Sequence, residues 1–129
     1  MSNINKIFLT GASGGIGSAL CSKFLKNNYT LVLTASSDEK LVNLKNQYGT
    51  NHYYYKSDLS NSENLQSCLD DISKDHKDIS VIVNNAGTTA DNLILRMKND
   101  QWSKVIQTNL NSNYQIIKSL LPNMLAKKY

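Results

Sequence analysis

The sequence predicts an α/β protein whose parallel sheet carries helices on both faces. Four short runs rich in β-branched and aromatic residues alternate with longer segments of helical periodicity, which is typical of parallel sheets with right-handed crossovers. The last of these runs, residues 79–83, is apolar enough to be covered on both faces. With 129 residues, 40% of them hydrophobic and 19% charged, the chain has the length of one domain and can build a core.

The first helix lies between the first two of four predicted strands. By composition and periodicity, strands are predicted at residues 7–10, 31–34, 53–55 and 79–83. After the first strand, Ile16, Leu20 and Phe24 recur every four residues and form one apolar helix face.

The second and third helices begin at predicted capping boxes, in which two side chains bind free backbone amides at the helix start. Ser36 with Glu39 begins the second helix, which ends near Gly49. Ser60 with Glu63 begins the third. The third helix carries an i, i+3, i+4, i+7 stripe made of Leu65, Cys68, Leu69 and Ile72.

The last helix is predicted over residues 100–127, and Pro122 is expected to bend or interrupt it. Its apolar residues are assigned to one side. They are Trp102, Val105, Ile106, Leu110, Ile116, Ile117, Leu120 and Leu121.

A glycine-rich turn joins the first strand to the first helix and is the strongest chemical signal. Its run is Thr10-Gly11-Ala12-Ser13-Gly14-Gly15-Ile16-Gly17. Glycine lets the chain turn sharply and approach a ligand, and the free N–H groups of the helix suit a diphosphate. At this junction the pattern predicts nucleotide binding, the alternative being an ordinary flexible loop. No Gly-Lys-Ser/Thr follows, which excludes a Walker-type phosphate loop.

The glycine spacing TGxxxGxG resembles that of the short-chain dehydrogenase/reductase family. Three further segments in the family's order and spacing support the resemblance, namely Asp58-Leu59, Asn84-Asn85-Ala86-Gly87 and Thr108-Asn109-Leu110. The resemblance implies a Rossmann-type doubly wound parallel sheet. In this interpretation residues 1–129 form a single NAD(P)-binding domain, truncated after four βα units, which is the N-terminal part of a longer family domain.

The same resemblance implies a set of cofactor-binding residues. In the glycine turn they are Gly11, Ser13, Gly14, Gly15, Ile16 and Gly17, and Gly17 also lets the helix pack on the strand. Asp58 and Leu59 would contact the adenine. The residues that would border the cofactor after the fourth strand are Asn85, Ala86 and Gly87.

The end of the second strand bears on the choice of cofactor. NAD sites place Asp or Glu there, about 20 residues after the glycines, to bind the ribose 2′-hydroxyl. Here the strand ends in Thr34-Ala35-Ser36-Ser37, and Asp38 comes later, in the helix cap. A neutral pocket at Ser36 accepts a 2′-phosphate without like-charge repulsion, which favours NADP(H) over NAD(H). Gly14, however, lies where many NADP-using relatives carry arginine.

One member of the family's Asn-Ser-Tyr-Lys catalytic tetrad is present, Asn109, which the resemblance implies bends the helix and holds a water. The alternative is an ordinary polar position. The resemblance places the catalytic serine, tyrosine and lysine after a further strand, beyond Tyr129. Tyr114 and Lys118 have the Tyr-x-x-x-Lys spacing, but they follow Asn109 within the same helix and are interpreted as helix-face residues. Activity of this chain alone is therefore an open question.

Residues 84–97, with Trp102 after them, resemble most the branch of the family that reduces 3-oxoacyl groups on acyl carrier protein. This implies NADPH-dependent formation of the 3-hydroxyacyl thioester in fatty-acid biosynthesis by a homo-oligomer, commonly a tetramer, that uses the last helix in one interface. Two alternatives stay open. One is a non-catalytic nucleotide-binding or interaction protein derived from such a reductase, and the other is a family reductase of another carbonyl compound.

Charge and composition exclude several other classes. The formal charge is +4, from 14 basic and 10 acidic residues spread along the chain, which argues against nucleic-acid binding. Cys21 and Cys68 are far apart, and His52 and His76 are isolated, so neither a disulfide framework nor a metal site is expected. No signal peptide or membrane span is evident, and a cytoplasmic location is expected.

Overall fold

A computed structural model describes residues 5–128 and confirms the predicted fold class. Four parallel strands lie in the order β3-β2-β1-β4. Along the chain the elements are β1 (Lys6–Leu9), α1 (Gly15–Lys26), β2 (Thr30–Ala35), α2 (Asp38–Tyr48), β3 (Tyr53–Lys56), α3 (Ser62–Asp75), β4 (Val81–Val83), α4 (Asn99–Ile106), a π-helical turn (Gln107–Asn111) and α5 (Ser112–Ala126).

The sheet separates two hydrophobic clusters, because side chains alternate between its faces along each strand. Phe8 of β1 packs with α3 and α5, whereas Ile7 and Leu9 pack with α1 and α2. The predicted stripe of α3 is buried in the first cluster. Cys21 and Cys68 are free and buried on opposite faces. The helices cover both faces of the sheet at β1 and β2. The run at residues 79–83, predicted to be covered on both faces, instead forms the edge strand β4, whose residues are half-buried.

The predicted capping boxes at Ser36 and Ser60 are each wrong by one residue. α2 is capped by Ser37 and α3 by Asn61, whose side-chain oxygens accept the N–H of the third helical residue at 3.2 Å and 3.0 Å. Adjacent polar residues compete for this position, and the one whose extended backbone directs its side chain over the first turn becomes the cap. Ser36 is thereby left outside the helix. The second helix does end at Gly49, which has a φ of +92°.

The side of the last helical region that is buried is not the whole apolar side that was predicted. The buried residues recur every four positions, at Thr108, Ser112, Ile116 and Leu120. Other apolar residues assigned to that side are exposed, Trp102 by 61% for example. The reason is that α5 packs on α3 through Ile116 and Leu120, and the buried strip continued by Thr108 and Ser112 is only one residue wide, so the larger side chains beside it remain outside.

Two further local expectations are corrected. Pro122 lies inside α5 without interrupting it, and the irregularity occurs earlier, at the π turn. Ile16 is 72% exposed, because the buried side of α1 is set by Gly17 and Cys21 instead. None of the helices found within residues 5–128 is long and apolar enough to cross a membrane.

Candidate functional site

A cleft of about 500 Å³ opens at the carboxyl ends of the strands. It lies where the strand order changes direction, since β2 and β3 extend from one side of β1 and β4 from the other. This switch point is where open α/β sheets bind ligands. The predicted residues that line the cleft are Gly11, Ser13, Ser36, Asp58, Leu59, Ala86 and Gly87.

The glycine turn brings the start of α1 against the end of β1. Gly11 has a φ of +73°, and a Cβ on Gly17 would lie 1.9 Å from the Gly11 carbonyl oxygen, so only glycine fits at the second position. No side chain caps α1, and the N–H groups of Gly15 and Ile16 have no acceptor within the helix. The Gly14 N–H donates to the Gly11 carbonyl at 3.2 Å, so this amide is already used within the turn.

The end of β4 is tied to this turn by three hydrogen bonds that involve side chains, beside the backbone bond from the Thr10 N–H to the Val83 carbonyl at 3.2 Å. The Thr10 hydroxyl oxygen accepts the N–H groups of Asn85 and Ala86 at 3.2 Å and 3.0 Å. The Asn85 side-chain amide donates to the Gly11 carbonyl at 3.2 Å. Asn85 therefore acts on the site by fixing the turn, and it is not among the residues that line the cleft. Gly14, Gly15, Ile16 and Gly17 also lie outside that lining, at the turn itself.

The wall formed by the end of β3 presents a carboxylate. Asp58 Oδ1 accepts the backbone N–H and the hydroxyl of Ser60 at 3.0 Å and 2.6 Å. The Asp58 N–H donates to the Asn64 side chain at 2.8 Å. These bonds fix the carboxylate at the cleft and leave its second oxygen for a donor such as an exocyclic amine.

Asn109 lies in the π turn and bonds to the segment after β4. Its Oδ1 accepts the Thr88 N–H, and its Nδ2 donates to the Thr88 carbonyl, both at 2.8 Å. The Asn109 carbonyl accepts the Asn113 side-chain amide at 3.0 Å. Both polar atoms of the side chain are thus engaged with Thr88, which lines the cleft. Asn109 positions that wall, and π turns recur at functional sites for this kind of reason.

None of the described residues that line the cleft at the end of β2 is acidic. Ser36 lines it, and Lys40 Nζ lies 3.4 Å from the Ser36 hydroxyl oxygen. Asp38 forms an exposed ion pair with Lys56 at 3.4 Å. Sequence reasoning missed Lys40, although its place one helical turn after Ser36 could have indicated it. It also missed Lys104, which lies on α4 and lines the cleft.

The remaining candidates lie away from the cleft. Tyr114 is 64% exposed, and the Lys118 ammonium lies over its ring at 5.6 Å from the centroid. Neither lines the cleft, in agreement with their interpretation as helix-face residues. His52 accepts the Leu31 N–H at 3.0 Å, and His76 contacts the Tyr55 hydroxyl at 2.9 Å. Within residues 5–128 no group of three or more His, Cys, Asp or Glu residues could hold a metal ion.

Comparisons with known proteins agree with this geometry. Residues 5–129 match the family model described as short chain dehydrogenase. The 3-oxoacyl-[acyl-carrier-protein] reductase FabG of Salmonella typhimurium is 34% identical over 129 residues, covering 99% of this chain and 53% of the relative. The enzyme of the same name from Escherichia coli is 31% identical over 121 residues, covering 94% and 50%. The chain thus spans about half the length of the curated relatives it matches.

Solved structures of short-chain dehydrogenases and oxidoreductases also match this chain. A metagenomic short-chain oxidoreductase in complex with NADP superposes with a TM-score of 0.86 at 30% identity, covering 96% of this chain and 58% of that one. A short-chain dehydrogenase from Streptomyces avermitilis gives 0.83 at 25% identity, with 98% and 47% covered. Both share the fold that positions the cleft.

Proposed function

The chain belongs to the short-chain dehydrogenase family, and on that premise we propose that it forms the cofactor-binding part of an NADP(H)-dependent reductase of 3-oxoacyl-[acyl-carrier-protein]. The product would be the 3-hydroxyacyl thioester of fatty-acid biosynthesis. The observation that carries the proposal is the uncapped start of α1 beside the glycine turn, at a cleft between strand ends. This combination suits the diphosphate of a dinucleotide.

Each part of the cleft would hold a different part of the cofactor. The N–H groups of Gly15 and Ile16 would donate to the diphosphate, and the Asp58 carboxylate would accept from the adenine. Ala86 and Gly87 present bare or nearly bare backbone along the path between these sites. When bound, the nicotinamide supplies the hydride for carbonyl reduction. The chain's own residues bind and orient, with Asn109 holding Thr88 in place.

Two observations support NADP(H) over NAD(H). No carboxylate ends β2, where one would bind the 2′-hydroxyl, and the nearest, Asp38, is paired with Lys56. A solved relative at 30% identity is described as a complex with NADP. The wall at Ser36 is accordingly compatible with an additional phosphate.

The proposed substrate follows from the curated relatives named above and from residues 91–97, whose sequence resembles theirs. The exposed apolar side chains of Leu93, Ile94 and Leu95 offer a surface to an acyl chain.

We also propose a homo-oligomer built through the last helix. Five apolar residues form a stripe along the side of the π turn and α5 that faces away from the sheet, each between 39% and 64% exposed. They are Leu110, Tyr114, Ile117, Leu121 and Leu125. An apolar stripe of this length on an otherwise polar helix is typical of a face that is covered in an assembly.

The test is a titration of the protein with NADPH and with NADH, followed by nucleotide fluorescence. We expect saturable binding of both, with NADPH the tighter ligand. Oxidation of NADPH by 3-oxoacyl-[acyl-carrier-protein], measured in a protein that also contains the catalytic serine, tyrosine and lysine, then tests the substrate, with a panel of other ketones as comparison. Failure to bind either nucleotide would refute the cofactor site, and preference for another ketone would refute the substrate alone.

A further inference from the structure

We propose that Gln107 and Gln115 are positioning residues for the wall of the cleft at the end of β3. Their side-chain amides tie the segment that follows β3, which carries Asp58 and Leu59, to the last helical region. The inference rests on the proposed cofactor site, because it concerns how the wall that would receive the adenine is held. Neither glutamine lines the cleft, so each would act through the backbone that it contacts.

The two glutamines reach this segment at two backbone carbonyls. Gln107 Nε2 lies 3.4 Å from the Leu59 carbonyl oxygen, and Gln115 Nε2 donates to the Ser62 carbonyl at 3.0 Å. The contact with Leu59 is long and therefore weak, whereas the bond to Ser62 has an ordinary length. The partners are 48 and 53 positions apart in the chain, so both contacts join elements that only the fold brings together.

The two side chains also hold each other. Gln107 Nε2 donates to Gln115 Oε1 at 2.8 Å, and Gln107 Oε1 accepts the Asn111 side-chain amide at 3.3 Å. The orientation of both carboxamides follows from their neighbours, because a backbone carbonyl can only accept and must face the nitrogen. A carboxylate at position 107 could make neither of the bonds that Gln107 donates.

The segment that the glutamines hold is tied together internally. The Asp58 N–H donates to the Asn64 side chain at 2.8 Å, and the Asp58 carboxylate accepts the Ser60 hydroxyl at 2.6 Å. These bonds span the two carbonyls that the glutamines contact, so a displacement of either carbonyl would also move the Asp58 carboxylate. The Leu59 side chain packs against the hydrophobic cluster of α3 and α5, and loss of a glutamine should therefore shift the wall without unfolding it.

The π turn supports two walls of the cleft through residues that are two positions apart. Such residues point in different directions on a helix. Gln107 reaches Leu59, whereas Asn109 reaches Thr88, and both of the contacted residues line the cleft. Gln107 thus serves the wall at β3 as Asn109 serves the wall after β4.

The experiment compares the binding of NADPH with that of its hypoxanthine analogue, in which a carbonyl oxygen replaces the exocyclic amine of adenine. Asp58 would accept from the amine and repel the oxygen, so the unmodified protein should prefer NADPH by at least about tenfold. Gln107→Met keeps the length of the side chain and removes its hydrogen bonds. It should weaken NADPH binding by about three- to tenfold and analogue binding by less than about twofold, so that the preference shrinks.

Gln47→Met is the matched control, because Gln47 is exposed on α2 and lies outside the cleft. It should leave both affinities unchanged. Gln115→Met should reproduce the reduced preference, since it removes the bond to Ser62 and the acceptor for Gln107. The double variant should lose less than the sum of the two single losses, because both glutamines act on one segment. Thermal unfolding shows which variants fold, and Gln115→Met provides the test if Gln107→Met does not.

The outcomes separate this inference from the proposed function. If the unmodified protein does not bind NADPH, the cofactor site itself is wrong. If it binds NADPH and the analogue equally, Asp58 does not contact the adenine amine, and this inference fails while the nucleotide site stands. An unchanged preference in Gln107→Met and Gln115→Met, including an equal loss of both nucleotides, would overturn the positioning role, because a general structural effect does not distinguish the two bases.

Discussion

Replacement of Gly17 by alanine is predicted to damage both the fold and the cofactor site. A Cβ there would lie 1.9 Å from the Gly11 carbonyl oxygen and 2.9 Å from the Asn85 side-chain nitrogen. Ordinary contact begins at 3.4 Å, so the two backbones must separate by 3.4 − 1.9 = 1.5 Å. The closest clash cannot be relieved by rotating a side chain, because the Gly11 carbonyl belongs to the main chain.

The size of the effect comes from two opposing contributions. Alanine in a helix gains about 1 kcal/mol over glycine. Overpacking against a rigid backbone costs about 3 kcal/mol, at the upper end of the usual range. Overpacking is the larger, and a net loss of about 2 kcal/mol should lower the Tm by about 5–10 °C. A turn displaced by this distance would lose about two charged hydrogen bonds to the diphosphate. This loss corresponds to a decrease in NADPH affinity of at least about 100-fold.

Gly15→Ala is the matched control. It lies two residues earlier in the same helix, and nothing lies within 4 Å of the Cβ it would gain. Thermal unfolding should show a near-normal Tm for Gly15→Ala and a lowered Tm for Gly17→Ala, and NADPH titration should show weaker binding by Gly17→Ala than by the unmodified protein. Equal Tm values for the two variants would refute the close packing of α1 on the glycine turn.

Three further predictions concern residues beyond the glycine turn. Asn109→Ala removes two hydrogen bonds to Thr88 and should lower the free energy of unfolding by about 1–2 kcal/mol, measured by denaturant titration. The affinity for NADPH should fall as well, and an unchanged affinity would contradict the positioning role of Asn109. Burial and the Lys6 ammonium, 3.2 Å away, lower the pKa of His76 below its ordinary 6.5, so the unfolded state binds more protons than the folded state as the pH falls. The Tm should be steady above about pH 6.5 and fall below that pH. His76→Gln should make this fall less steep, and an equally steep fall in the variant would contradict the role of His76. Ile117→Glu, in the exposed apolar stripe, should weaken self-association at least about tenfold in sedimentation experiments, and an undisturbed oligomer would show that another face is used.

Much of the fold could be predicted because its elements have strong local signals. The stripe from Leu65 to Ile72 fits one side of a helix and is buried as predicted. The run at residues 79–83 does contain a strand, Val81–Val83, but this strand lies at the edge of the sheet and is only half-buried, so the predicted cover on both of its faces is wrong. The alternation of such elements leaves few topologies, and the glycine turn selects the point where a ligand can enter.

The last helix shows where periodicity is insufficient. It has apolar residues on more than one side, and which side is buried depends on how closely α3 can approach. Ser112 is polar by type, yet its hydroxyl donates to the Thr108 carbonyl at 2.5 Å, so the Ser112 side chain can be buried. Local bonds of this kind cannot be read from a hydrophobic pattern.

The site was predictable where backbone chemistry determines it and unpredictable where long-range contacts do. The glycine turn was predicted from its residues and its place between strand and helix, and Asp58 from the family resemblance; both belong to the cleft or its rim. The pairing of Asn109 with Thr88, 21 residues earlier, depends on where the π turn places one side chain. The contact of Lys40 with Ser36 is local, and it was missed because Ser36 was predicted to cap α2, a role in which its side chain would bind a backbone amide and not the Lys40 ammonium.

The most direct test of the cofactor site is a two-dimensional NMR titration of isotope-labelled protein with NADPH, read at each backbone amide. The account predicts the largest shift changes at residues 11–17, at Asp58 and Leu59, and at residues 86–88. Changes confined to the groove between α3 and α5, or no changes at saturating nucleotide, would contradict it.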